Sequence, residues 1–371
     1  NLNVTFVILT LIGLTLRSSF SRYYYELNTF YDVGNYTKIA EFGYESVGIS
    51  AFHPLWPMLV RFFASILQIN GQPNYGLLAG ILSFVCFLFS VKILSPILIR
   101  VGGQLYGIMA LWLFVLNPTS IFHVTGFSES LCCLLFAFLI NELLEKRRVY
   151  MLIGLSALIS FARPVAYFLP LAALLAWPIA NFAGKKPLRS SASECLSLVG
   201  GALGAFVVLS GYFYFQLGDF FANSKTHDMW GRKFGFYWQL IYSPKSVGGS
   251  EQVLMWDLIG FYLPLFLVAF SGFKLFGSAE ERAKYSSCLE DPIYWLCLLL
   301  SAAHCGAAFL SYPIFASTAR HVMAIPCIFY CSARIFKAWK PNPRILVALV
   351  IISAVFYLRW WARFGKGSWI G

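Results

Sequence analysis

Of the sixteen acidic residues in this chain, four fall in one short polar stretch between apolar runs: Glu26, Asp32, Glu41 and Glu45. The stretch reads Phe30-Tyr31-Asp32-Val33-Gly34-Asn35-Tyr36, then Ile39 to Tyr44, then Ala51-Phe52-His53-Pro54-Leu55-Trp56-Pro57. A carboxylate set among aromatic rings beside an apolar segment has the parts to hold a sugar and to take a proton from a hydroxyl. Asp also caps helices very often, and Asp32 could cap a short helix running through Glu41 with Gly43 as its stop. Spacing does not choose between cap and base, and the two roles coexist only if one carboxylate oxygen stays free. Asp32 is the candidate catalytic residue, with Tyr31, Asn35 and His53 as candidate substrate-binding neighbours.

Four more places carry charge where an apolar chain would avoid it. Glu129, in Phe127-Ser128-Glu129-Ser130, opens the apolar run Leu131 to Ile140. It suits a helix first turn capped by Ser128, or else an acceptor for sugar hydroxyls or for a nearby arginine. Arg163 stands between two apolar helices in Phe161-Ala162-Arg163-Pro164, and Arg320-His321 opens another after Ser317-Thr318. Snorkelling to the interface is one reading of such arginines. The other is function, because an ionisable group at membrane depth is costly and a guanidinium can grip a phosphate through two hydrogen bonds. Trp230-Gly231-Arg232, in a polar connection, adds Trp230 and Arg232 to the candidate binding set.

The elements that must position these residues are membrane helices. The 371 residues are 59% hydrophobic and only 12% charged, more apolar surface than one soluble core could bury. Runs such as Leu77 to Ile99, Leu152 to Ile179, Leu196 to Phe215, Trp256 to Phe270, Ile293 to Leu310 and Ile345 to Trp361 approach or exceed the roughly 20 residues that span ~30 Å of hydrocarbon. The reading is an all-α polytopic membrane protein of about 11 to 13 helices, one unit over residues 1–371, with short helices in its first outward loop. Asn3 to Leu16 is taken as a retained helix rather than a cleaved signal.

The +12 net charge gathers in short connections such as Glu145-Lys146-Arg147-Arg148, Lys185 to Arg189 and Lys337 to Lys340. That is the positive-inside pattern, not a nucleic-acid surface, and it puts these loops on the cytoplasmic side. Residues 21–52, 117–128, 216–255 and 312–320, with the neighbourhood of Arg163, then face outward. One count resists. If Leu77 to Ile99 is a single helix, the crossings between 51 and 104 are odd where the flanking loops demand an even number. Either that run is two helices or Pro54 to Leu67 does not fully cross.

Nine cysteines, mostly within apolar runs, show no metal-like spacing. His227-Asp228 lacks a third ligand, and no phosphate-cradling glycine loop or nucleophile elbow is present. No metal site and no cofactor are expected.

Taken in order, the motifs resemble the PIG-V family, the second mannosyltransferase of glycosylphosphatidylinositol synthesis and its prokaryotic relatives, within the GT-C membrane glycosyltransferases. The resemblance rests on Tyr31-Asp32, Ile39 to Tyr44, Ala51 to Pro57, Asn117-Pro118 with Ser128 to Leu131, Arg163, Trp230-Gly231-Arg232 after Gln216 to Asp219, and Arg320-His321. Tyr31 stands where the family has Trp and His53 where it has Phe, which touches sugar and acceptor identity more than reaction type. The resemblance implies a GT-C-type helical bundle. It also implies transfer of a sugar, mannose foremost, from a polyprenyl-phosphate carrier to an acceptor hydroxyl with inversion. Asp32 would be the base, and Arg163, Arg232, Arg320 or His321 would steady the phosphate. The donor lipid, a lipid or glycan acceptor, membrane lipids and a partner subunit are the implied partners. A flippase or transporter of lipid-linked sugars, a silent scaffold subunit and a non-mannose donor are the alternatives. Asn35-Tyr36-Thr37 is a glycosylation sequon beside the base. It points to a bacterial cytoplasmic membrane with the site facing outward, or to the endoplasmic reticulum membrane in a eukaryote.

Overall fold

The computed structural model describes residues 31–185, 192–229, 232–245, 251–311 and 317–365. Among them the regular structure is helical, with six helices long and apolar enough to cross a membrane. Asn3 to Leu16, Trp230 and the basic segment beyond Lys185 lie outside the described residues.

The chain enters through α1 (Tyr31–Phe42), which Gly43 ends at φ +87°. Asp32 sits in the first turn of α1 rather than capping it. Next, α2 (Leu55–Ile66) buries Trp56, Val60 and Ala64 at a four-residue spacing and leaves Met58, Phe62 and Ile66 exposed. Its 12 residues reach about 18 Å, too short to cross hydrocarbon, whereas Leu77 to Ile99 lies within one continuous helix. Of the two alternatives, the helix lengths support the second, that Pro54 to Leu67 does not fully cross.

That helix, α3 (Gln72–Leu116), folds back on itself at Gly103, whose φ of 76° and ψ of 171° break it. Its two arms meet so closely near the bend that a Cβ on Gly107 would lie 2.3 Å from the Leu98 carbonyl oxygen. The shorter second arm runs back along part of the first, with the Phe114 ring 5.6 Å from that of Phe87, and beyond it the Gly126 amide donates to Ser83 Oγ at 3.0 Å.

A short 3-10 turn (Pro118–His123) leads to α4 (Glu129–Glu145) and α5 (Val149–Ala162). The apolar run Leu152 to Ile179 is then cut in two. Arg163 precedes Pro164, so the α conformation is disfavoured there, and Arg163 is extended at φ −156°, ψ 150°. A 3-10 turn (Pro164–Phe168) joins it to α6 (Leu169–Ala183) and, later, α7 (Ala192–Leu217). The expected 216–255 loop holds α8 (Ala222–Met229) and α9 (Gln239–Tyr242) and is closed early by α10 (Glu251–Leu275). The largely polar α11 (Ala279–Leu289) precedes α12 (Pro292–Ser311), α13 (Thr318–Met323), α14 (Cys327–Trp339) and α15 (Pro343–Gly365).

α3 is the hub, packed by α1, α4, α14 and α15, while α5 pairs with α7 and α12 with α6. The helix ends form two chemically distinct faces. One is basic and carries peripheral ion pairs, Arg148 with Glu142 at 2.7 Å and Arg334 with Asp291 at 2.6 Å among them. The other gathers Asp32, Glu129, Arg163 and Arg320.

Candidate active site

Each of the four charged groups is delivered by a different break in the helical pattern. Asp32 comes from the first turn of α1. Glu129 follows the turn that Asn117 starts, where Asn117 Oδ1 accepts from the Thr119 amide at 2.9 Å and Pro118 fills the next position. Arg163 is turned inward by the extended conformation that Pro164 favours. Arg320 rides on α13, which docks against α10 where Gly260 leaves room: a Cβ there would come within 2.6 Å of the Ala319 Cα. Asp257 Oδ1 accepts from the Ala319 amide at 3.0 Å and anchors that helix start.

These groups join into one alternating chain of charges. Arg320 Nη2 donates to Asp32 Oδ2 at 2.6 Å, and its Nε donates to Glu129 Oε1. Arg163 Nη1 reaches the same Glu129 oxygen at 2.5 Å. Two carboxylates and two guanidiniums sum to zero, which is how charge survives away from water. Arg320 is only 3% exposed, its guanidinium lying 4.7 Å from the Phe122 ring centroid and 4.5 Å from that of Phe127. Asp32 is the outermost member, with its side chain 21% exposed and one oxygen committed to Arg320.

Ser128 does not cap α4 as expected. Its φ and ψ are already helical and it makes no side-chain cap bond. Instead its hydroxyl is hydrogen-bonded to Tyr36 Oη at 2.7 Å and accepts from Arg163 Nη1 at 3.2 Å, tying α1 to the Arg163 turn. Arg163 Nη2 donates to His321 Nδ1 at 3.1 Å. An arginine can only donate, so that nitrogen of His321 is the unprotonated one. Beyond it His304 stacks at 6.5 Å between ring centroids. On the residues of this network and its edge, Glu129 Oε2, Thr318 Oγ1 and His304 Nε2 are buried with no hydrogen-bond partner among the described residues.

Of the remaining expected residues, Tyr31, Asn35, His53 and Arg232 are among the described residues and Trp230 is not. Tyr31 and Asn35 are half-buried on α1, and Arg232 comes close enough for its charge to act on His321. His53, 1% exposed, is held by protein: Nδ1 donates to the Ser160 carbonyl at 2.6 Å, and Nε2 lies 3.2 Å from Tyr167 Oη. Tyr167 donates in turn to Asn223 Oδ1 at 3.0 Å. In the sequon, Thr37 is fully buried and its hydroxyl donates to the Gly34 carbonyl, while Asn35 is half-buried. Sequence reasoning missed Asp257, Phe122 and Phe127. Asp257 could have been found, since it is an acid within an apolar helix. Among the described residues no three His, Cys, Asp or Glu side chains converge as a metal site would require.

Residues 11–175 match the family model described as mannosyltransferase (PIG-V). The match spans less than half of the chain and agrees with the resemblance drawn from the motifs. It takes in Asp32, Glu129 and Arg163 and ends before Arg232 and Arg320. No curated protein matches the chain.

Proposed function

We propose that the chain transfers mannose from a polyprenyl-phosphate carrier to an acceptor hydroxyl at the face that holds Asp32. The observation that carries this reading is the 2.6 Å pair of Arg320 with Asp32, which fixes one oxygen of a carboxylate still partly open to solvent. A base needs that arrangement, one oxygen held for orientation and one left for the proton. In the step, the acceptor oxygen bonds to the anomeric carbon as its proton passes to Asp32. The anomeric C–O bond breaks on the opposite side, its electron pair leaves with the phosphate, and the configuration inverts.

The departing phosphate gains negative charge, and the electrostatics that meet it matter most. Arg163 and His321 line the approach, and Arg232 lies close enough for its charge to act on His321, so these are the groups assigned to meet the phosphate. Arg320 serves chiefly to orient Asp32. Tyr31 and Asn35 are placed to meet the sugar or the acceptor, and Trp230 is assigned to the same binding set by its motif. The face in question is the outer one, opposite the basic loops.

The test is transfer of radiolabel from synthetic polyprenyl-phosphate-mannose to extracted membrane lipids and glycans by purified protein, with Asp32→Asn alongside. Loss of about 10²- to 10⁴-fold in turnover, with donor binding retained, is expected for removal of a general base. Turnover near that of the unaltered protein would remove Asp32 from the role, and transfer only from glucose or pentose carriers would change the sugar.

A further inference from the structure

A cleft of about 840 Å³ opens at the basic end of the bundle, far from the Asp32 cluster, between the C-terminal ends of α6 and α10 and the largely polar α11. Its apolar wall includes Phe182 and Leu275, and Phe182 continues outward to Phe276, their rings 6.4 Å apart and both widely exposed. Its polar lining includes Lys185 and Arg282, neither of which has an ion-pair partner among the described residues, with Glu290 as the acid of the lining. Asn181, 6% exposed, also lines it, and its Nδ2 donor has no hydrogen-bond partner. A buried amide donor left unsatisfied costs about 1–3 kcal/mol unless something accepts from it.

We infer that this cleft is a binding site for an anionic phospholipid of the adjoining leaflet. The phosphate would accept from Asn181 Nδ2 and lie against Lys185 and Arg282, while the acyl chains leave along Phe182 and Phe276 into the bilayer. Three features select a lipid over a soluble anion. The cleft sits where two membrane-length helices end, Ala166–Ala183 and Glu251–Leu275. Its wall is continuous with lipid-facing aromatics, and its volume exceeds what phosphate alone would fill. Basic pockets between membrane helices on the cytoplasmic side are the recurring form of anionic headgroup recognition. The site is independent of the transfer chemistry.

Native mass spectrometry of the purified chain, titrated with phosphatidylglycerol, phosphatidylcholine and soluble glycerol 3-phosphate, tests it. The expected result is one phosphatidylglycerol retained per chain at least tenfold more tightly than phosphatidylcholine, with no comparable binding of glycerol 3-phosphate. Lys185→Ala with Arg282→Ala should abolish that preference. Ala279→Trp, at an exposed position on the cleft wall, should block occupancy while leaving both charges in place. Equal retention of both lipids, or preference unchanged in both variants, would overturn the proposal. Tight glycerol 3-phosphate binding would assign the cleft to a soluble anion instead.

Discussion

Glu129 accepts from two guanidiniums through one oxygen, and each of those arginines is buried. Replacing it with Gln keeps the shape and removes the charge that both arginines need. Breaking a buried ion pair from one side leaves an uncompensated ion and costs about 3–5 kcal/mol. Glu129→Gln should therefore lower the thermal midpoint of the detergent-solubilised protein sharply. Glu129→Gln combined with Arg163→Gln should recover part of the loss, because coupled neighbours are not additive. Additive losses would show that the pair does not act as a unit. At this scale the sequence was informative about cost and offered an arginine as one partner for Glu129, a reading the pairs with Arg163 and Arg320 meet, but it did not say which arginines. Asp32, Glu129, Arg163 and Arg320 could each be picked out as charge in an apolar chain. That Glu129 bridges both arginines could not, because Arg320 arrives from the far end of the chain.

The helices that deliver Asp32 and Arg320 share a local device. Tyr31 at φ 57° begins α1, and Ser317 at φ 62° precedes α13, both in the left-handed region. A non-glycine residue there carries roughly 1–2 kcal/mol of strain, and such strain clusters at functional sites. Ser317→Gly should then stabilise the fold modestly, by up to about 1 kcal/mol, read as a raised thermal midpoint; a lowered one would refute the strain. The opposite kind of change belongs to Gly260, which permits α13 to lie against α10. Gly260→Val should push Ala319 away and carry Arg320 from Asp32, cutting turnover at least tenfold even in the folded fraction. Unchanged turnover would separate this contact from the chemistry. The break at Arg163-Pro164 was legible because proline restricts the residue before it. The fold-back at Gly103 was not, since the hydropathy runs on through it and only the close approach of Gly107 to Leu98 reveals the turn.

Across the whole molecule, the separation of ion pairs into two end faces puts the Asp32 cluster and the basic loops at opposite ends. The helical membrane character was legible from composition alone, because runs near 20 apolar residues have few other fates. The number of crossings was not, because α2 is apolar yet too short, and α3 turns back on itself. Orientation rests on the basic loops, and it can be tested directly because the nine native cysteines are all buried and should label little. Glu45, exposed beyond α1, and Lys340, exposed at the basic end, are suitable positions for a reporter. Glu45→Cys should react with a membrane-impermeant maleimide in intact cells, and Lys340→Cys only after permeabilisation. The reverse pattern would put Asp32 on the cytoplasmic side, where water-soluble nucleotide sugars are available. A lipid carrier would then lose its rationale, since its use follows from the need to present an activated sugar on the far side of a membrane. The labelling result therefore bears on the donor as well as the topology: outward exposure of Glu45 is what the polyprenyl-phosphate reading requires.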